Sequence, residues 1–170
     1  GHEVTLLASG DSAAPSGARL HPVVPEHYDR RYPWHDFHGT EVLNAHLDAA
    51  FAGACDHVAK GGYDVVHNNT LHRFVPRVSR AKRLPMVSSM HVPPFEVLRR
   101  AMTDSVAPWH LVTTCSTRQL GRWWEVPPTT GPPVVHPPPP RARGHVMGHH
   151  LPRRPQRLYI LITCHYILLF

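Results

Sequence analysis

Short apolar runs and longer stretches with helical spacing alternate along the first 125 residues. Continuous apolar runs predict buried strands at residues 4–8, 63–66, 85–90 and 110–114. Residues 18–24 predict a further strand, and Pro22 places it at the edge of a sheet because proline cannot donate a ladder hydrogen bond. Most of the stretches between these strands have apolar residues at the spacing of a helix, or residues that typically begin or end one.

The longest predicted helix lies around residues 43–58. Apolar residues recur there at every third or fourth position, and Gly61-Gly62 ends the pattern. A second helix is predicted from Pro76 to about residue 83, since proline is tolerated in the first turn of a helix.

Two further helices complete the pattern. One follows Pro93-Pro94, and the other is capped by Ser116 or Thr117 and continues through residue 124. Strands that alternate with helices predict an α/β fold, in which an open parallel sheet is flanked by helices through right-handed crossovers.

Polar residues follow four of the predicted strands. In chain order these strand ends carry Ser9-Gly10-Asp11, His67-Asn68-Asn69, His91 and Cys115-Ser116. In open α/β sheets, ligands bind outside the carboxyl ends of the strands. The pattern therefore predicts a ligand cleft at this edge, although loops are generally polar and each residue alone could be an ordinary loop residue.

The composition changes abruptly after residue 125. Ten of the 19 prolines lie between Pro127 and Pro155, and the three isoleucines all lie within the last 11 residues. Such proline density favours polyproline II or disorder. We therefore predict a folded domain at 1–125 and an irregular Pro/His-rich tail at 126–170. Two interpretations of the tail stay open: an out-of-frame ending and a genuine extension.

The basic charge is a property of that tail. Of 18 Lys and Arg and 12 Asp and Glu, residues 126–170 contain five Arg and no acidic residue, so residues 1–125 have a net charge of only +1. This argues against a nucleic-acid-binding face on the folded part. The three widely spaced cysteines form no CxxC motif and favour a reducing, cytoplasmic compartment, and no 18-residue apolar run predicts a membrane span.

Three other kinds of site find little support in the sequence. His145, His149 and His150 form the densest histidine cluster, but they lie in the tail, so no metal site is expected. Cys115 has no partner that the sequence places beside it and no G-x-S-x-G is present, which weakens a nucleophilic hydrolase. Ser9-Gly10-Asp11 does not supply the G-x-G-x-x-G of a dinucleotide-binding oxidoreductase.

Four segments follow one another in the order, and at about the spacing, of a known enzyme domain. They are GHEVTLLASGDS, YDVVHNNTLHRFVP, LPMVSSMHVPPFEVLRRA and HLVTTCSTRQLGRWW. Together they resemble the amino-terminal, Rossmann-like domain of family 4 glycosyltransferases, one half of the two-domain GT-B fold. The resemblance covers residues 1–124, and VVHP at 134–137 resembles the strand that leads into the second domain. The family's first strand would precede residue 1, so we expect a truncated domain.

The resemblance implies transfer of a sugar from a nucleotide diphosphate sugar to an acceptor, usually without a metal and with no cofactor. This domain would shape the acceptor side of the cleft. His91 matches the histidine that follows a "VxTxH" strand near the transferred sugar, which makes it the implied catalytic residue. His67 and Asn69 match a "DVVHxH" position, with Asn69 replacing the second histidine, and Ser116 matches the serine of "xVSxS"; these three are the implied substrate-binding residues.

The implied partners are a nucleotide sugar and a small-molecule, glycan or lipid acceptor, without nucleic acid and with peripheral membrane contact left open. We expect no transferase activity from this chain alone, because the donor-binding half of the cleft is not encoded in it. Two alternatives stay open, a non-catalytic ligand-binding module and a nucleotide-dependent oxidoreductase fragment. His, Asn and Ser suit a sugar site because each offers short hydrogen-bonding groups.

Overall fold

A computed structural model describes residues 2–126, 128, 134–135 and 157–161. The strands are β1 Glu3–Ser9, β2 Ala18–Val24, β3 Val65–Asn68, β4 Met86–Met90, β5 His110–Thr114, β6 Val134–Val135 and β7 Arg157–Leu161. The helices are α1 Trp34–Phe37, α2 Glu41–Lys60, α3 Phe74–Lys82, α4 Glu96–Asp104 and α5 Thr117–Trp123, with a single 3₁₀ turn at Tyr28–Arg30.

All described strands belong to one parallel sheet in the order β2-β1-β7-β3-β4-β5-β6. The predicted mixed α/β architecture with a parallel sheet and flanking helices is confirmed. β2 lies at one edge, as Pro22 predicts. Because the strands are parallel, the carboxyl ends of β3, β4 and β5 lie side by side. They form the carboxyl edge of the sheet, which is distinct from the lateral edge formed by β2.

Helices α2 to α5 pack on the same face of the sheet. Phe51 of α2 and Val75 of α3 pack with Met86, whereas Leu98 of α4 and Trp123 of α5 pack in the cluster that contains Met90. Met86 and Met90 are four residues apart in β4, so their side chains point to the same face. Moving from β3 to β6 with every helix on one face is the arrangement that right-handed crossovers produce.

The long helix α2 illustrates how local sequence sets an element's limits. Thr40 caps its amino terminus, because the Thr40 hydroxyl accepts a hydrogen bond from the Leu43 amide. Phe51, Ala54 and Val58 are buried against the sheet, in agreement with the predicted apolar spacing. Gly62 follows with a φ of +65°, a left-handed conformation that glycine adopts without a steric penalty and that ends the helix.

Two boundaries differ from the prediction. Strand β3 begins at Val65 and includes His67 and Asn68, so these residues lie within the sheet instead of in the following loop. Helix α3 begins at Phe74 and not at Pro76, which places the proline third in the helix, where its missing N–H still costs no hydrogen bond. The other predicted strands and helices lie within a few residues of their expected positions.

Two strands fall within the segment predicted as an irregular tail. Val134–Val135 pairs with β5, as its resemblance to a strand leads one to expect, and Arg157–Leu161 inserts between β1 and β3. The irregular prediction therefore does not hold for these seven residues. The five residues of β7, RLYIL, include the aromatic and β-branched residues that favour strands. The rest of 126–170, including His145, His149 and His150, lies outside the described residues.

None of the described helices has the length and hydrophobicity needed to cross a bilayer.

Candidate functional site

A buried row of hydrogen bonds crosses the sheet on its helix-covered face. Asn68 Nδ2 donates to Ser88 Oγ over 3.0 Å, and Ser88 Oγ lies 2.8 Å from His110 Nε2. The other ring nitrogen of His110 lies 3.2 Å from the carbonyl oxygen of Ser105. Burial lowers the pKa of His110, against the opposing effect of that carbonyl. These polar side chains tie β3, β4 and β5 together in a diagonal row that runs from the last residue of β3 to the first residue of β5.

A second row crosses the same three strands on the opposite face. His67 Nε2 lies 2.8 Å from Ser89 Oγ, and Ser89 Oγ lies 3.0 Å from Thr113 Oγ1. Successive side chains of a strand point to opposite faces, which explains why His67 and Asn68 join different rows. The structure thus places the predicted ligand-binding residue His67 in a hydrogen-bonded row across the sheet, half-buried.

The carboxyl ends of β3, β4 and β5 bring three side chains together. His91 Nε2 lies 3.2 Å from Asn69 Oδ1, and His91 Nδ1 lies 3.5 Å from Cys115 Sγ. Met90 pairs with Thr114, so His91 and Cys115 leave the sheet at the same level. His91 and Cys115 are both exposed. The contact between Asn69 and His91 joins two residues that the sequence predicts as neighbours, whereas the contact to Cys115 was not predicted.

The contact with Asn69 Oδ1 corresponds to one tautomer of a neutral His91. An amide oxygen can only accept a hydrogen bond, so a neutral His91 ring carries its proton on Nε2 and donates it to Asn69. The lone pair of Nδ1 then faces the thiol of Cys115. The pair can therefore present a base at an exposed position on the rim of the sheet.

Ser116 and Gln119 join the ends of β4 and β5. Ser116 is the cap of α5, since its hydroxyl accepts a hydrogen bond from the Gln119 amide over 3.1 Å. The side chain of Gln119 accepts from the Cys115 amide over 2.7 Å and donates to the Val92 carbonyl over 3.2 Å. Ser116 was predicted as a binding residue; the structure gives it a capping role and places it at the wall of a cleft.

That cleft has a volume of about 290 Å³. Its walls are formed by Pro93, Ser116, Arg118, Gln119 and Arg122. Arg118 and Arg122 are four residues apart and therefore lie on the same side of α5. Within the described part of the chain neither arginine has an acidic partner. The cleft is thus positively charged, which suits a ligand that carries a phosphate, carboxylate or sulfonate group.

The carboxyl end of β1 does not join this group. Asp11 accepts a hydrogen bond from the His27 amide over 3.0 Å and pairs with Arg30 at 3.1 Å. The Ser9 hydroxyl lies 3.0 Å from that of Ser12. The adjoining cavity, lined in part by Tyr28, has a volume of about 30 Å³, which is enough for a water molecule but not for a sugar. Strand β7 separates this end from β3.

A partly buried ion-pair cluster lies behind the site, where the chain leaves β3. Asp48 of α2 accepts from Arg73 over 2.6 Å and lies 3.0 Å from His72 Nε2. The His72 ring stacks on Phe51 with 4.2 Å between ring centroids. Burial lowers the pKa of His72 to about 4, although Asp48 favours its protonation. The cluster fixes the segment after Asn69 against α2 and does not reach the surface of the cleft.

Sequence reasoning did not identify the arginine-lined cleft or the contact between Cys115 and His91. The spacing of Arg118, Gln119 and Arg122 within a predicted helix is a signal that could have identified the cleft. The earlier expectation that Cys115 lacks a partner is wrong, because His91 contacts it from the neighbouring strand. Among the described residues, no group of three or more His, Cys, Asp or Glu could hold a metal ion.

Comparison with protein-family models, curated proteins and solved structures finds no match to this chain.

Proposed function

We propose that this chain forms the acceptor side of a sugar-transfer site on a Rossmann-like domain. The observation that carries the proposal is the contact of His91 with Asn69 at the carboxyl edge of a parallel sheet, beside a cleft of about 290 Å³. Ligand sites of open α/β sheets lie at this edge, and pockets for small ligands begin at about 300 Å³. The four sequence segments that resemble family 4 glycosyltransferases support the same assignment.

In the proposed reaction, an acceptor hydroxyl attacks the anomeric carbon of a nucleotide diphosphate sugar. The new carbon–oxygen bond forms as the bond to the diphosphate breaks, and the acceptor's proton must pass to a base. His91 is the proposed catalytic group, and Asn69 orients its ring through the 3.2 Å contact. The diphosphate would be held mainly by a second domain, as it is in the family that the sequence resembles.

The arginine-lined cleft refines the expected acceptor. Arg118 and Arg122 would favour an acceptor that carries an anionic group, with its hydroxyl directed towards His91. Ser116 and Gln119 offer additional polar contacts at the wall, although both are already engaged in hydrogen bonds. The proposal keeps the cytoplasmic location that the cysteine pattern favours.

Titration of the isotope-labelled 170-residue chain, followed by two-dimensional NMR, tests this proposal. The probes are glucose 6-phosphate, inositol phosphate, methyl glucoside and NADH. We expect saturable shifts at residues 69, 91 and 115–119 with the phosphorylated probes, and weaker ones with methyl glucoside. His91→Ala should weaken binding by about tenfold, as expected for loss of one hydrogen bond to a polar ligand. His2→Ala, at the opposite end of β1, is the matched control.

Two results would contradict the proposal. The first is that neither phosphorylated probe produces saturable shifts at this edge. The second is that only NADH produces them, and this result would favour the oxidoreductase alternative. The same sample is assayed for sugar transfer from UDP-glucose and GDP-mannose, and we expect no turnover. Binding without turnover in a preparation supplemented with an active donor-binding domain would favour the non-catalytic module.

A further inference from the structure

The contact between His91 and Cys115 gives the edge of the sheet a second chemical capability. Cys115 is exposed, and its Sγ lies 3.5 Å from His91 Nδ1. Asn69 holds the ring from the other side over 3.2 Å. A Cys–His–Asn arrangement of this kind activates the thiol of papain-like proteases. Each of the three residues directly follows the last residue of a different strand, so the parallel sheet is what brings them together.

We propose that Cys115 is a thiol-modification site that undergoes exchange with anionic low-molecular-mass disulfides. His91 Nδ1 accepts the proton of the Cys115 thiol, and the resulting thiolate attacks one sulfur of the disulfide. A sulfur–sulfur bond to Cys115 forms as the bond within the reagent breaks. The departing thiolate takes the proton from the imidazolium, so that one mixed disulfide and one free thiol are produced. The reagent disulfide is the oxidant.

The surroundings favour this exchange over acyl transfer. A thiol hydrolase needs a free donor to stabilise the oxyanion that forms during attack on an acyl group. The amide of Cys115 already donates to Gln119 Oε1 over 2.7 Å, and the amide of Gln119 donates to the Ser116 hydroxyl. Attack on a disulfide creates no oxyanion and has no such requirement.

The preference for an anionic reagent follows from the adjoining cleft. Ser116, the residue next to Cys115, lines that cleft together with Arg118 and Arg122. Two guanidinium groups without acidic partners among the described residues raise the local concentration of anions. A dianionic aromatic disulfide should therefore reach Cys115 faster than a dicationic one.

Cys55 provides an internal comparison within the same chain. It lies half-buried in α2, where burial and the charge of Asp56 raise the pKa of its thiol to about 12. Trypsin places Cys55, Cys115 and Cys164 in separate peptides, residues 32–60, 101–118 and 158–170. Mass spectrometry can therefore follow each thiol by itself in the wild-type chain.

The test treats the full chain with dithiobis(nitrobenzoate) near neutral pH and quantifies the three cysteine peptides over time. We expect modification of Cys115 well before Cys55, and a rate at Cys115 about tenfold lower in His91→Ala and His91→Gln. Asn69→Ala should also slow the reaction, whereas Asn69→Asp should preserve it, because a carboxylate still accepts from His91 Nε2. His2→Ala is the control that should leave the rate unchanged.

Cystamine, a dicationic disulfide, is the second probe. The double variant Arg118→Ala/Arg122→Ala should slow the anionic reagent by about tenfold and speed up the reaction with cystamine, because the same positive field attracts the dianion and repels the dication. An equal rate at Cys115 in the wild type and both His91 variants would overturn the proposal, as would modification of Cys55 as fast as Cys115. Far-ultraviolet circular dichroism and continued protection of Cys55 establish that each variant is folded. Neither readout depends on sugar binding.

Discussion

The stability of this protein should fall between pH 6.5 and 4 because of His72. Burial lowers the pKa of the folded His72 from its ordinary value of 6.5 to about 4. The unfolded chain therefore binds a proton at higher pH than the folded chain does. A histidine of this kind contributes its full stabilisation above pH 6.5, and the contribution is lost as the pH falls towards 4.

The magnitude follows from the same two values. Between pH 6.5 and 4 the unfolded state binds up to one more proton at this site, which corresponds to about 3 kcal/mol of unfolding free energy. The side chain of His72 is only 10% exposed, so solvent screens this effect weakly. For a chain of this size, about 3 kcal/mol is a large fraction of a typical stability.

Urea denaturation followed by tryptophan fluorescence measures the effect at several pH values. The His72→Gln variant removes the titrating group and leaves a side chain that can still donate to Asp48. We expect the free energy of unfolding of the wild type to fall more steeply than that of the variant between pH 6.5 and 4, by about 3 kcal/mol in total. His110 and His57, whose pKa values burial also lowers, titrate in both proteins and cancel in the comparison.

The control is His2→Gln, which replaces an exposed histidine before β1 and should follow the wild-type profile. Parallel pH profiles for the wild type and His72→Gln would refute the reasoning. NMR titration of the His72 ring offers a direct check, since its midpoint should lie near pH 4.

Two further substitutions probe how the strand ends are held. Ser88→Ala should lower the free energy of unfolding by about 2–4 kcal/mol, because it leaves the buried amide of Asn68 and the ring of His110 without a shared partner; a loss below about 0.5 kcal/mol in urea denaturation would show that the row contributes little. Ser116→Ala should cost about 1 kcal/mol through loss of the α5 cap, and Ser116→Asp, which can accept the same hydrogen bond, should recover most of that stability in the same assay.

The sequence predicts the elements of residues 1–125 because their apolar periodicity is strong. Strand β5 and helix α2 follow directly from apolar spacing, and their bounds agree closely with the structure. Strand β3 shifts by two residues, since its last positions, His67 and Asn68, are polar. Their side chains are satisfied by serines of β4, and such cross-strand pairing cannot be read from one segment alone.

The candidate site is predictable only as a location. Parallel strands imply that Asn69, His91 and Cys115 lie at the same carboxyl edge, but they do not tell which of these side chains are in contact. Whether Asn69 reaches His91 depends on register, and register depends on the buried faces of three strands. The pairing of Met90 with Thr114 brings Cys115 to the imidazole, and no local pattern in the sequence reports that pairing.

The position of β7 has a consequence for how the chain folds. β1 and β3 do not pair with each other; each pairs with residues 157–161. Leu6 is aligned with Ile160, about 150 residues further along the chain, so closing the sheet at this point carries a large loop-closure entropy. The block from β3 to β6 can assemble from neighbours in the chain, but its union with the β1–β2 pair must wait for a distant segment. Contacts of such long range slow folding, and this seam should be the last part of the sheet to form.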